Sequence, residues 1–219
     1  MDPERLFDGV YRINGRLFTK NITPGYAVYG EELIGISGEE YRGWNPYRSK
    51  LAAAIMNGLK EFHFGEGKSV LYIGGATGTT VSHVSDIVGS GGRVYCVELS
   101  ERNMRELVKV CEKKGNILPI LADASDAESY SDIVGECSVL YQDASARDQA
   151  ALLLANSRFL SKGGYAYFAI KSQSIDISRK PSEVFKEELK KLSVAYDLIE
   201  TVAIEPYDML HMFAVLRKR

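Results

Sequence analysis

The stretch SVLYIGGATGTTVSHVSDIVG, residues 69–89, constrains the fold more than any other part of the chain. A short apolar run breaks into glycines and threonines and restarts as a helix. Small residues at such a bend admit close approach by a ligand, and the free N–H groups of the helix start point outward. A strand, a Gly-rich bend and a helix N-terminus together open an α/β domain that cradles a nucleotide-like ligand, but they do not name it.

The rhythm downstream agrees. Strands are expected over 69–74, 92–98, 117–122, 137–142 and 163–170, alternating with helices over 79–89, 101–114, 126–134, 147–160 and 181–194. Two final strand-like runs, YDLIETVAIEP and HMFAVLRKR, have no helix between them, so an antiparallel edge hairpin is expected at the end. The pattern predicts a doubly wound, mostly parallel, Rossmann-like sheet of seven strands with an antiparallel last strand. Residues 1–44 read as a small N-terminal β domain, with Asn14-Gly15 as a hairpin turn, and residues 45–219 as the main domain. Asn45 is placed to cap a connecting helix that has Pro46 at its first position.

A chain of 219 residues that is 45% hydrophobic has enough apolar material for such a core. Its 27 Lys and Arg against 29 Asp and Glu give a net charge of -2, which argues against a free-standing nucleic-acid binder. A polyanionic partner has to be met by a local patch or through another subunit. Cys96, Cys111 and Cys137 are widely spaced without a CxxC pair, as expected of reduced, buried thiols. No apolar stretch is long enough to span a bilayer and the N-terminus has no signal-peptide core, so a cytoplasmic location is expected and no membrane partner.

The bend excludes two common ligands. A P-loop ends in Gly-Lys-Ser/Thr, whereas Gly78 is followed here by Thr79 and Thr80. The spacing of Gly74, Gly75 and Gly78 also departs from GxGxxG, which removes the case for a pyrophosphate. What remains is a relaxed glycine turn followed by acids at three successive strand ends: Glu98, Asp123 and Asp143. Each acid alone reads equally as a strand-end or N-cap carboxylate, but three in register converge on one crevice. Glu98 suits ribose hydroxyls, Asp123 an adenine amino group, and the negative crevice a sulfonium. These features favour S-adenosylmethionine.

With those motifs in place, the sequence resembles the fibrillarin family of box C/D ribonucleoprotein methyltransferases, in its short archaeal form. The resemblance rests on NITPGYAVYGE, YRGWNPYRSKLAAAI, VLYIGGATGTTVSHVSDIVG, VYCVELS, DQA at 148–150, AIKSQSID and EPYDMLH, across about residues 21–213. The Gly/Arg-rich segment of eukaryotic members is not in this sequence. The resemblance implies guide-directed ribose 2'-O-methylation of rRNA and tRNA. It also implies cofactor contacts from Gly74, Thr79, Thr80, Glu98, Leu99, Asp123, Ala124, Gln149 and the run Asp143, Ala144, Ser145 and Ala146. The family pattern Asp-Val-Ala-Gln-Pro-Asp-Gln is DASARDQ here, which leaves Ser145 and Ala146 their backbone for such contacts. Gly75-Ala76-Thr77 likewise stands for the more usual Ala-Ala-Ser.

The resemblance further implies a catalytic tetrad of Lys50, Asp143, Lys171 and His211, with no metal. Lys171 is expected to face the 2'-hydroxyl, either as a base or as a cation opposing the developing alkoxide. Lys50 nearby would weaken its hold on a proton and Asp143 would strengthen it, a balance that sequence leaves open. His211 is expected to orient the network or approach the RNA. The implied partners are a Nop5 or Nop56/58-type scaffold, an L7Ae-type kink-turn protein, a box C/D guide RNA and the rRNA or tRNA substrate. Arg42, Arg48, Lys50, Arg147, Lys171, Arg179 and Lys180 are candidate phosphate contacts. The competing functions are a small-molecule O-methyltransferase, which often uses a metal, and a non-catalytic scaffold of the same fold.

Overall fold

Alternation along the central strands decides the architecture. In the computed structural model, which describes residues 2–219, Val70 and Tyr72 face one side of the main sheet while Leu71 and Ile73 face the other. All four are buried. A strand apolar on both faces requires covering layers on both sides, and each fully buried side chain of this kind contributes about 1.5–3 kcal/mol.

The chain begins with an antiparallel sheet of β1 (Glu4–Phe7), β2 (Val10–Ile13), β3 (Arg16–Lys20), β4 (Leu33–Ile36) and β5 (Glu39–Gly43), in the order β1-β2-β3-β5-β4. Asn14 and Gly15 join β2 to β3 with φ of 50° and 75°, both left-handed, the geometry of the tight hairpin read from sequence. Next come α1 (Lys50–Met56), β6 (Ser69–Ile73), α2 (Thr79–Val88), β7 (Arg93–Glu98), α3 (Glu101–Lys114) and β8 (Ile117–Leu121). They are followed by β9 (Cys137–Gln142), α4 (Gln149–Asn156), β10 (Leu160–Lys171), α5 (Ser172–Ile175), α6 (Pro181–Leu192), β11 (Tyr196–Ala203) and β12 (His211–Lys218).

The main sheet runs β11-β12-β10-β9-β6-β7-β8. Strands β6 to β10 pair in parallel, and β12 runs antiparallel to both β10 and β11. The terminal hairpin is present, but its second strand is the inner one and β11 forms the edge. Burial explains that order: Phe213, Ala214, Val215 and Leu216 are buried on both faces of β12, whereas β11 is largely exposed. Two helices are shorter than expected. The run 126–134 forms only a 3-10 turn, Ala127–Tyr130, because its Ser and Asp side chains compete with helical hydrogen bonds. The run from 147 begins at α4, where Asp148 accepts from the Ala151 N–H, and ends in a 3-10 turn at Ser157–Phe159.

The connecting segment uses two caps in place of one. Asn45 caps a 3-10 turn, Pro46–Arg48, and Ser49 then caps α1 by accepting from the Ala52 N–H at 3.3 Å. The N-terminal sheet packs on α2. Val10, Leu17 and Trp44 share one buried cluster with α1 and β6, and Trp44 stacks on His83 with centroids 5.0 Å apart. Beneath them lies a fully buried ionic group. Asp86 accepts from Arg42 Nε at 2.8 Å and Lys114 Nζ at 2.6 Å, and Arg42 also pairs with Glu31. Arg42 is thus a structural cation with no exposed surface, and is removed from the candidate phosphate contacts.

Candidate active site

The carboxyl ends of β6 to β10 surround one cavity. Gly74 closes β6 with φ of 88°, and a Cβ there would sit 2.8 Å from the Asp143 carbonyl oxygen. Only glycine lets the bend after β6 come this close to the loop after β9. Glu98 closes β7 and ties the bend in place. Its Oε2 accepts from the Ala76 N–H at 2.7 Å and its Oε1 from the Ser100 N–H at 2.8 Å.

The cavity measures about 1130 Å³, and its walls include Gly74, Glu98, Leu99, Asp123, Ala124, the run Asp143 to Ala146, and Lys171. Asp123 Oδ1 accepts from both the N–H and the hydroxyl of Ser125 at 2.8 Å, and these bonds hold its carboxyl below the usual aspartate range. Its Oδ2 has no partner among the described residues. Leu99 stands 67% exposed at the rim, apolar surface ready to be covered by a ring.

Thr79, Thr80 and Gln149 do not line the cavity. Gly78, the N-cap of α2, faces Val110 of α3, so the first turn of α2 lies behind the bend, and Thr80 is buried against the Tyr72 phenol. Gln149 is fully buried and latches the end of β10. Its Oε1 accepts from the Lys171 N–H at 3.0 Å and its Nε2 donates to the Lys171 carbonyl at 3.1 Å. These two bonds fix where Lys171 leaves the sheet.

The cavity's groups fit S-adenosylmethionine. Glu98 stands at the strand end that suits a ribose diol, and Asp123 presents an unpartnered oxygen for an amino group. Val97, Leu99 and Ala124 offer apolar walls, and Asp143 supplies negative charge for a sulfonium. No lysine stands at the glycine bend to meet a phosphate.

At one end of the cavity lies an ionic network. Asp143 Oδ1 is 2.8 Å from Lys171 Nζ and 3.2 Å from Lys50 Nζ. Lys171 Nζ also donates to the Asp143 carbonyl at 2.7 Å and to Ser145 Oγ at 3.4 Å. Lys50 starts α1, where the helix dipole disfavours a cation, and two carboxylates offset that cost. One is Asp143; the other is Asp208, 3.3 Å away. Burial drives the Lys50 ammonium down, and the two carboxylates more than reverse this, leaving it above the ordinary lysine value. His211 opens β12 directly opposite Lys171 in the β10 ladder, and its Nδ1 lies 2.7 Å from Asp208 Oδ1. The four residues implied by resemblance thus come together, joined by Asp208, a fifth that sequence reasoning missed. Its one sequence signal is the Asp-x-x-His spacing inside EPYDMLH.

The architecture and this site define the class of seven-stranded S-adenosylmethionine methyltransferases. The fibrillarin family model matches residues 1–219, and the chain belongs to the fibrillarin family. It is 48% identical over 218 residues to the fibrillarin-like rRNA/tRNA 2'-O-methyltransferase of Pyrococcus furiosus, covering 97% of this chain and 96% of that relative. Aeropyrum pernix fibrillarin, solved with natively bound S-adenosyl-L-methionine, is similar at TM-score 0.90 and 43% identity over 99% of this chain and 98% of that one. The fibrillarin chain of a fibrillarin/Nop5p complex matches at TM-score 0.90 and 35% identity, covering 99% of this chain and 100% of its own.

Proposed function

We propose that this chain transfers the methyl group of S-adenosylmethionine to ribose 2'-hydroxyls of rRNA and tRNA, as the catalytic subunit of a guide-RNA particle. The observation that carries this reading is that Asp143 and Lys171 belong at once to the cavity wall and to the ionic network. A cofactor in the cavity would therefore present its methyl group beside the charged cluster. S-adenosylmethionine supplies an electrophilic methyl on a good leaving group, so the protein's task is positioning the hydroxyl and managing its proton. Asp143 orients both lysines. The Lys171 ammonium opposes negative charge growing on the 2'-oxygen, and Gln149 keeps that ammonium at the strand end.

A Nop5-type scaffold is the proposed protein partner, because a structural relative at 35% identity is solved with Nop5p. An L7Ae-type kink-turn protein and a box C/D guide RNA complete the proposed particle. A net charge of -2 accords with RNA being placed by partners more than by this chain alone.

The test is transfer of tritiated methyl groups in a particle reconstituted from this chain, scaffold, kink-turn protein and one matched guide. The expected result is label at the single guided ribose and none from the isolated chain. Equal site-specific labelling by the isolated chain would overturn guide dependence, and labelling of a catechol in place of RNA would favour the small-molecule reading.

A further inference from the structure

The geometry points to Asp208 as a positioning residue that presents His211 Nε2 as the proton acceptor for the ribose hydroxyl. This rests on the methyl-transfer reading above and assigns its proton.

The loop 204–210 that carries Asp208 is pinned at both ends. Asn57, at the end of α1, donates from Nδ2 to the carbonyls of Ala203 and Glu205, each at 2.7 Å. Ser172 Oγ donates to the Leu210 carbonyl at 2.8 Å, where Leu210 holds φ of 63°. A leucine in the left-handed region is costly and persists where surrounding contacts dictate it. Between these anchors the Asp208 N–H donates to Ile204 O at 3.1 Å, which sets the carboxylate between Lys50 and His211.

The Met209 carbonyl and that carboxylate together decide which ring nitrogen bears the hydrogen. His211 Nδ1 faces two acceptors, Asp208 Oδ1 and the Met209 carbonyl, both at 2.7 Å. It therefore carries the proton, and Nε2 of the neutral ring keeps a lone pair. Lys171 is arranged the other way. Its Nζ donates to the Asp143 carbonyl and Ser145 Oγ and forms an ion pair with Asp143 Oδ1 at 2.8 Å, so it is built to donate. Lys171 and His211 are a direct cross-strand pair and leave the sheet on the same face, within reach of one bound hydroxyl.

The step balances. The 2'-hydroxyl proton passes to His211 Nε2, and a lone pair on the 2'-oxygen forms the new O–C bond. The S–C bond breaks with its electrons kept by sulfur. His211 becomes an imidazolium facing Asp208, and Lys171 keeps its protons.

The test uses the full chain for spectroscopy and the reconstituted particle for single-turnover rates. In ¹⁵N spectra of the imidazole groups, His211 is expected to be protonated on Nδ1 and bare on Nε2, with a downfield Nδ1 proton. Asp208→Asn is expected to move that proton upfield and to slow methyl transfer at least about tenfold, with cofactor affinity unchanged. Asp208→Glu, which restores the carboxylate, should recover part of the rate. A proton on Nε2 of the wild-type ring, or a wild-type rate in Asp208→Asn, would overturn the assignment while leaving methyl transfer standing. A wild-type particle that transfers no methyl would overturn both.

Discussion

Lys171 and His211 face each other across the antiparallel ladder of β10 and β12, the final register pair before both strands leave the sheet. Residues so paired have Cβ atoms about 4.5–5.5 Å apart, and here each also has its own carboxylate, Asp143 for Lys171 and Asp208 for His211. Groups that act on one hydroxyl through one network do not contribute independently. The Lys171→Ala, His211→Ala double variant is therefore expected to be about as slow in single-turnover methyl transfer as the poorer single variant. Simple multiplication of the two single losses would show that the residues work apart.

Gly74 holds the bend after β6 against the Asp143 carbonyl. Alanine there meets both a left-handed backbone and a carbonyl oxygen 2.8 Å from its Cβ. Gly74→Ala is expected to destabilise the fold by about 1–3 kcal/mol and to weaken cofactor binding, because the Asp143 loop must retreat. Urea unfolding and cofactor titration check the two effects. A Gly78→Ala variant separates them, since position 78 faces Val110 in place of the cavity loop.

The ionic group under the N-terminal sheet is a different kind of device. Asp86 neutralises Arg42 and Lys114 where none of the three side chains is exposed. Asp86→Ala leaves the Lys114 ammonium in the interior without a carboxylate and Arg42 with Glu31 alone, and is expected to cost about 3–5 kcal/mol, measured by chemical denaturation. A loss below about 1 kcal/mol would mean that water enters the cluster.

Much of this fold was legible because its strands are short apolar runs punctuated by glycine. Strand positions for β6 to β9 follow from that, as does the Asn14-Gly15 turn. The helix expected over 126–134 was misjudged because Ser and Asp side chains compete for backbone bonds. The order of the last two strands depends on which of them the sheet can bury, and that is set by β10. In the site, Glu98, Asp123 and Asp143 were legible as strand-end acids. Asp208 was not, because it sits in a connecting loop and its pairing with Lys50, far away in the sequence, leaves no local pattern. Gln149 was expected to touch the cofactor, and its contact with the Lys171 backbone could not be read from spacing.

Stability should depend on pH through His83. Burial, with Arg42 and Lys114 adding to it, holds this imidazole well below its usual 6.5, so it stays neutral in the folded chain. The unfolded chain takes up that proton as pH falls through about 6.5, and the folded chain does not. Stability contributed by the neutral ring is thus complete above that pH and declines below it, by up to about 1.4 kcal/mol per pH unit. Urea unfolding between pH 7.5 and 5.5 checks this. His83→Gln is expected to be less stable throughout and to show a shallower slope.

The most direct test of the account is Lys171→Ala in the reconstituted particle, with S-adenosylmethionine binding measured on the same protein. Loss of methyl transfer by about a hundredfold or more, with cofactor affinity within a factor of about two of wild type, is the predicted result. Undiminished transfer would contradict the assignment of this network as the catalytic centre.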